Sequence, residues 1–194
     1  MTVVALTGCT APSRATQAAR HSAETRSPAP PSSVADASAI HESPGAVGQC
    51  DSSTLSLDLS AGSGAGGHGY SSLIFRNDSS KACVLFGYPG VSTLDRDHHQ
   101  IGHAAYRVSD DTPFFGRPGA VVLMPAGYAA ATLRTESSEF AGPAACQPAQ
   151  AALLRVYPPG NRNPILLDFP YVVCTSESLA NAVGPLRPGK GFAS

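Results

Sequence analysis

The chain carries few charged residues, and those it has form no cluster. Charged side chains make up 14 % of the sequence, well below the usual quarter, and the formal net charge is -1. From residue 49 onward, Lys and Arg are scattered among a similar number of Asp and Glu. A protein that binds nucleic acid needs a basic stripe or patch to contact the phosphates. We therefore expect no nucleic-acid partner.

No segment has the periodicity of a long helix, and tryptophan is absent. Instead, 19 Gly and 17 Pro separate short apolar runs, which is typical of short strands joined by turns. Leu55, Leu57 and Leu59 alternate with polar residues, as in a half-buried strand. Residues 49–194 are thus predicted to form an all-β domain, an immunoglobulin-like antiparallel β-sandwich of about seven to nine short strands. Antibody domains bury a tryptophan, so only their architecture is implied here.

The order of the apolar runs predicts how the strands follow one another. Residues 70–76, 83–86, 91–94 and 101–108 are predicted to pair in chain order as a four-strand meander. The glycine-rich stretch 61–69 is predicted to be a loose turn, because no Lys-Ser/Thr closes it and no helical pattern follows it. Residues 148–152 are predicted to form one helical turn.

The sequence has no C-x-x-C pair, which makes a zinc site built on closely spaced thiolates a poor interpretation. Four widely spaced cysteines in the Gly- and Pro-rich region predict two disulfides and an oxidising compartment. Sequence alone allows three pairings of four cysteines. We favour Cys50 with Cys83 and Cys146 with Cys174, because each pair brackets neighbouring strands in one half of the domain.

The fifth cysteine, Cys9, ends a short apolar run. The run closes in Leu-Thr-Gly-Cys, which resembles the lipobox of bacterial lipoproteins, whose cysteine thiol is acylated, for example with palmitate. Residues 1–8 are then a remnant of a lipoprotein signal peptide. Such a peptide is usually longer and begins with positive charge, so we expect the true start to lie upstream of Met1.

Residues 9–48 are predicted to be a lipid-anchored disordered linker. The stretch is rich in Ala, Ser and Pro and has no aromatic residue, so it cannot bury enough apolar surface to offset the entropy of ordering. The anchor at Cys9 makes the membrane the first expected partner. The predicted location is extracytoplasmic, at the cell membrane, and a secreted protein is the alternative.

Several short motifs, in order along residues 50–189, carry a family resemblance. The most specific is Gly-Tyr-Pro-Gly-Val, which follows Cys83 and the apolar run after it. The other motifs are Cys50, Phe75-Arg76-Asn77-Asp78-Ser79, Leu154-Arg155-Val156-Tyr157-Pro158-Pro159-Gly160, Cys174 and Pro185-Leu186-Arg187-Pro188-Gly189. Together these motifs resemble the domain of unknown function 4232, found in secreted proteins and lipoproteins of actinobacteria. The resemblance implies an all-β, disulfide-bearing extracytoplasmic domain, often on a lipid anchor, and it implies no activity.

Few residues have the pattern of a reactive or metal-binding site. His98, His99 and His103 lie within six residues and are the basis of an alternative, a metal-binding lipoprotein. The same stretch is a polar hairpin tip, where Asp and His tolerate turn geometry without a ligand. An envelope enzyme is a further alternative, although no Gly-x-Ser-x-Gly elbow is present and the carboxylates at 110–111 and 136–139 are typical of solvated loop ends. We expect no metal, no cofactor and no catalytic residue.

Phe114 and Phe115 are the best candidates for contact with a partner. They lie in a Pro- and Gly-rich loop, and exposed aromatic side chains dominate interface hot spots. The alternative is that the two rings plug one end of the sandwich. The sequence as a whole predicts a cell-envelope lipoprotein whose extracytoplasmic domain is a non-catalytic binding or structural module. Its partner would be an envelope protein or a small ligand.

Overall fold

The computed structural model describes residues 47–110 and 115–191, and short strands dominate this part of the chain. Its α-helices are α1 (Ser138–Ala141) and α2 (Pro143–Cys146), and two single turns of 3-10 helix lie at Ser52–Thr54 and Glu177–Leu179. The strands are β1 Leu55–Leu59, β2 Ser63–Ala65, β3 His68–Asn77, β4 Cys83–Phe86, β5 Gly90–Leu94, β6 Gln100–Ile101, β7 Tyr106–Arg107, β8 Ala120–Leu123, β9 Tyr128–Glu136, β10 Pro148–Gln150, β11 Leu153–Tyr157, β12 Ile165–Asp168, β13 Val172–Cys174, β14 Ala182–Val183 and β15 Arg187–Pro188.

Most strands belong to two sheets. The larger has the order β1-β3-β9-β14-β7, with β2 paired to β3 and β15 paired to β9. The smaller has the order β12-β11-β5-β6. The remaining strands form two separate pairs, β4 with β8 and β10 with β13. Pairing is antiparallel throughout these sheets except between β14 and β7, which run parallel.

One hydrophobic core joins the sheets. Strand β3 contributes Leu73 and Phe75, and β11 of the smaller sheet contributes Leu154 and Val156 to the same cluster. Along β11 buried and half-buried residues alternate, because successive side chains of a strand point to opposite faces. The all-β sandwich and its two disulfides are confirmed. Other members of the cluster are Leu55, Leu57, Leu85, Val91, Val121, Leu123, Ala129, Ala131, Leu133, Phe169, Val173, Val183 and Leu186.

The described residues contain fifteen strands, whereas seven to nine were expected, and many of the fifteen are shorter than expected. Several, such as β6, β7, β14 and β15, have two residues each, too few to show an alternation in the sequence. Residues 148–150 form strand β10 rather than a helical turn. The helical turn lies just before, in α2, which begins at Pro143 and ends where Gln147 takes a left-handed conformation (φ 50°).

The predicted meander is wrong. Strand β3 pairs with β1 and β9, and β4 pairs with β8. After β4 the chain turns at Gly87, which has a φ of 95°, and enters β5 of the smaller sheet. Consecutive strands therefore change sheets, and their pairing partners are distant in sequence. Within this region, the expected β5–β6 hairpin at residues 95–99 is confirmed.

Both predicted disulfides are confirmed. Cys50 and Cys83 join the segment before β1 to the start of β4, and Cys146 and Cys174 join α2 to β13. The sequence separations are 33 and 28 residues. In the chain-entropy picture, each bond stabilises the fold by roughly 3.5 kcal/mol. The disulfides assign the domain to an oxidising, extracytoplasmic compartment.

The expectations for residues 1–8, for Cys9 and for the linker up to residue 46 lie outside the described residues. Among the helices that the structure describes, none is long and apolar enough to cross a membrane.

Candidate functional site

One cleft of the domain lies where the β2–β3 hairpin, the end of β9, the start of α1 and strand β13 come together. Its volume is about 500 Å³, within the range of small-molecule sites in proteins. The lining residues are Leu59, Gly62, Ser63, Gly64, Gly69, Ser71, Thr135, Glu136, Ser137, Ser138, Glu139, Phe169, Tyr171, Val172 and Val173.

One wall of the cleft is the glycine-rich stretch expected to be a loose turn. It forms a hairpin instead, in which Ser63 of β2 pairs with Tyr70 of β3. Gly66 and Gly67 have φ values of 60° and 82°, and a two-residue type I′ turn requires this left-handed conformation at both positions. The sequence gives no strand prediction here, because glycine has no side chain and the stretch therefore lacks the alternation of polar and apolar residues that is typical of a strand.

Glycine also lets two hydroxyl groups lie against the backbone in this wall. Gly69 is paired with Thr135 of β9, and a Cβ at residue 69 would lie 2.7 Å from Thr135 Oγ1. A Cβ at Gly62 would lie 3.0 Å from Ser71 Oγ. A larger residue at either position would displace a hydroxyl that lines the cleft.

Glu136 is a fixed carboxylate in the lining. Its side chain is 8 % exposed, and Oε2 lies 2.7 Å from Nδ1 of His68, which is paired with it in the β3–β9 register. Oε1 lies 3.2 Å from Nε of Arg134. This second contact is an ion pair without aligned hydrogen-bond geometry, since Arg134 Nε has no hydrogen-bond acceptor. The expectation of a solvated loop-end carboxylate is therefore wrong for Glu136.

Two aromatic rings form another part of the lining. Phe169 is buried, and Tyr171 is 56 % exposed. Their ring centroids lie 4.7 Å apart with an interplanar angle of 49°. Phe169 thus supports the exposed ring of Tyr171 from the core side.

Five serine and threonine hydroxyl groups line the cleft, besides the phenol of Tyr171. Within the described part of the chain, none of their side chains hydrogen-bonds to another protein group, so all five are available to water or a ligand. They belong to Ser63, Ser71, Thr135, Ser137 and Ser138.

Comparison with protein families gives a match over most of the folded region. The model of the family described as Domain of unknown function (DUF4232) matches residues 50–186. The chain belongs to the DUF4232 family. The predicted resemblance is therefore confirmed. No curated protein and no solved structure matches the chain.

The DUF4232 domain does not assemble the three histidines of the metal alternative. In the described residues, the group whose ligand atoms lie within 4.8 Å of one another is Asp95, Asp97 and His99, without His98 or His103. Asp95 Oδ1 accepts hydrogen bonds of 2.9 Å from the backbone N–H groups of Asp97 and His99. This pattern is that of an Asp-capped turn, which accounts for the cluster without a metal.

We expect titration of the DUF4232 domain with micromolar zinc to give no binding heat in a calorimeter. The carboxylate of Asp95 already caps the turn, and His99 and Asp97 are exposed. The matched control is the His99→Ala variant titrated in the same way. Heat that is present in the wild type and lost in His99→Ala would contradict this expectation and support the metal alternative.

The aromatic pair expected to contact a partner is not an exposed patch. Phe115 is 4 % exposed, and its ring packs so closely on Gly184 that a Cβ there would lie 2.9 Å from Phe115 Cδ1. Its ring is also 6.0 Å from the guanidinium carbon of Arg134. The partner-contact interpretation is therefore wrong for Phe115, which is a core residue. Phe114 lies outside the described residues.

Sequence reasoning missed a different exposed apolar surface on the β4–β8 pair. Phe86 is 65 %, Val122 54 % and Met124 62 % exposed. Leu85 of β4 and Val121 and Leu123 of β8 point inward, so the pair is apolar on both faces. Both strands are apolar at every position, so the sequence does not show which face is open, and the structure does.

Proposed function

We propose that the protein is a cell-envelope lipoprotein, anchored to the membrane through acylated Cys9, whose DUF4232 domain binds a small ligand without transforming it. The preformed cleft between the β2–β3 hairpin and β13 is the observation that carries the binding role. The two disulfides support an extracytoplasmic location, because such bonds persist in oxidising compartments. The Leu-Thr-Gly-Cys motif supports the anchor.

The arrangement in the cleft favours binding over catalysis. His68 is oriented by the Glu136 carboxylate through Nδ1, as a general base often is. A nucleophilic mechanism also needs a hydroxyl in hydrogen-bond reach of the second ring nitrogen. None of the five cleft hydroxyls hydrogen-bonds to His68. The His68–Glu136–Arg134 group instead fixes the cleft wall, and a fixed wall reduces the ordering cost of binding.

Acylation of Cys9 is tested in the native cell. With a clickable palmitate analogue, we expect the wild-type protein to be labelled and to sediment with membranes. The Cys9→Ser variant should be unlabelled and should leave the membrane fraction, because a serine hydroxyl does not replace the acylated thiol. Thr10→Ser is the matched control and should behave as the wild type. An unlabelled wild-type protein, or equal labelling of Cys9→Ser, would contradict the anchor.

A further inference from the structure

We propose that the cleft binds a saccharide, a neutral or amino-sugar glycan, through its hydroxyl groups, its fixed carboxylate and the exposed ring of Tyr171. This inference rests on the proposed binding function and names the ligand class of the same site. Three properties of the lining point to a ligand that offers many hydroxyl groups and an apolar C–H face.

The first property is the hydrogen-bonding capacity of the cleft. Each Ser or Thr hydroxyl offers one donor and two acceptor positions, and the five in this cleft have no hydrogen-bond partner among residues 47–110 and 115–191. A ligand that carries donors and acceptors on adjacent atoms can match such a surface. An apolar ligand would leave these hydroxyls desolvated and unpaired, at a cost for each of them.

The second property is the carboxylate at Glu136. His68 and Arg134 hold its two oxygens, yet a carboxylate has about four lone-pair positions and can accept further hydrogen bonds. Hydrogen bonds to a charged acceptor are stronger than neutral ones. Sugar hydroxyls are the donors that such an acceptor fits, and Glu139 offers a second carboxylate at the edge of the lining.

The third property is the aromatic ring of Tyr171. Its face carries the negative part of the ring quadrupole, which attracts the weakly positive C–H groups on the apolar side of a sugar ring. Phe169 packs against Tyr171 from the core and limits its movement. A ring that is exposed and supported in this way offers contact area at little entropic cost.

Charge disfavours anionic ligands. Among the described residues, the lining contains Glu136 and Glu139 and neither Lys nor Arg, so it offers phosphates and other anions no cationic partner. A small cation remains the competing ligand, because carboxylates and an aromatic face also attract ammonium groups. The experiment therefore includes one as a separate probe.

The test is a glycan array of neutral and amino-sugar oligosaccharides, probed with the full chain carrying Cys9→Ser to avoid acylation. We expect at least one glycan to be bound. For that glycan, Tyr171→Ser and the isosteric Thr135→Val should each weaken affinity about tenfold in calorimetry, the loss expected for one good contact of ~1.4 kcal/mol. Phe86→Ser removes an exposed aromatic ring from β4 and is the matched control, with unchanged affinity expected.

Two outcomes would overturn the saccharide assignment. One is that no glycan on the array is bound, and the other is that a glycan is bound but Tyr171→Ser and Thr135→Val leave its affinity unchanged, whatever the effect of Phe86→Ser. Spermidine is titrated in parallel as the cationic probe. If spermidine binds, no glycan does and Tyr171→Ser removes the binding, the cleft is a binding site for amines and only the saccharide assignment fails. If neither glycans nor spermidine bind, the proposed binding role fails as well, whereas the acylation of Cys9 is judged independently.

Discussion

Replacing Asn77 with Ala is expected to lower the free energy of unfolding by about 4 kcal/mol, because it removes four hydrogen bonds of a buried side chain, each of which contributes about 1 kcal/mol. Asn77 is fully buried at the end of β3. Its side-chain amide donates to the carbonyl oxygens of Lys81 (2.8 Å) and Leu123 (3.1 Å). Its side-chain oxygen accepts hydrogen bonds from the backbone N–H (3.0 Å) and the hydroxyl (2.7 Å) of Ser79.

Through these hydrogen bonds, Asn77 of β3 connects its own strand to β4 and β8. Lys81 precedes β4, and Leu123 ends β8, so one side chain ties the large sheet to the β4–β8 pair. The backbone of Asn77 also exchanges hydrogen bonds with the turn after β8, at Ala126 and Gly127. The contact with the Leu123 carbonyl is buried, so the loss of this hydrogen bond carries a desolvation cost that water cannot offset.

The measurement is chemical denaturation of Asn77→Ala beside the wild type, under non-reducing conditions that keep both disulfides. Asn163→Ala is the matched control, because Asn163 is an exposed asparagine and its removal should change stability by less than ~0.5 kcal/mol. If Asn77→Ala were as stable as Asn163→Ala, the hydrogen-bond network around Asn77 would not stabilise the fold as described.

Replacing Phe115 with Ser is also expected to cost about 4 kcal/mol of stability. The change removes a buried ring, leaves a cavity next to Gly184 and introduces a hydroxyl there. Thermal unfolding followed by circular dichroism provides the measurement. A contact patch on the surface would behave differently, because its loss would leave the melting temperature nearly unchanged.

Phe86→Ser is the matched control for Phe115→Ser. Phe86 is 65 % exposed, so removing its ring takes little apolar surface out of the core, and we expect a change below ~1 kcal/mol. Equal effects of the two variants would mean that Phe115 is no more buried than Phe86. Neither residue lines the cleft, so the two variants differ in stability for reasons unrelated to the proposed binding site.

Local patterns in the sequence predicted several elements correctly. The alternation of Leu55, Leu57 and Leu59 identified β1, and the apolar run at residues 91–94 identified β5. The turn at residues 95–99 identified the β5–β6 hairpin. In each case the sequence pattern and the structural element that it predicts involve the same few consecutive residues. The prediction therefore needs no knowledge of contacts with distant segments.

The candidate site could not be predicted in the same way. Its lining comes from β2, β3, β9, α1 and β13, whose residues are up to about a hundred positions apart. Glu136 was interpreted as a loop-end carboxylate, and only its pairing with His68 across the β3–β9 register shows that it is buried and fixed. The glycine-rich wall gave no strand signal because glycine shows no alternation.

The sequence by itself determined the all-β class, the family and the presence of two disulfides, and hence the extracytoplasmic compartment. Composition, short-range periodicity and the order of the cysteines express these properties along the chain. The tertiary structure alone decided which strands pair, that Phe115 lies in the core while Phe86 is exposed, and that five hydroxyls, Glu136 and Tyr171 line one cleft. The physical reason is that strand pairing and burial depend on contacts between distant segments, and a pattern of neighbouring residues does not specify which distant segment will be the partner.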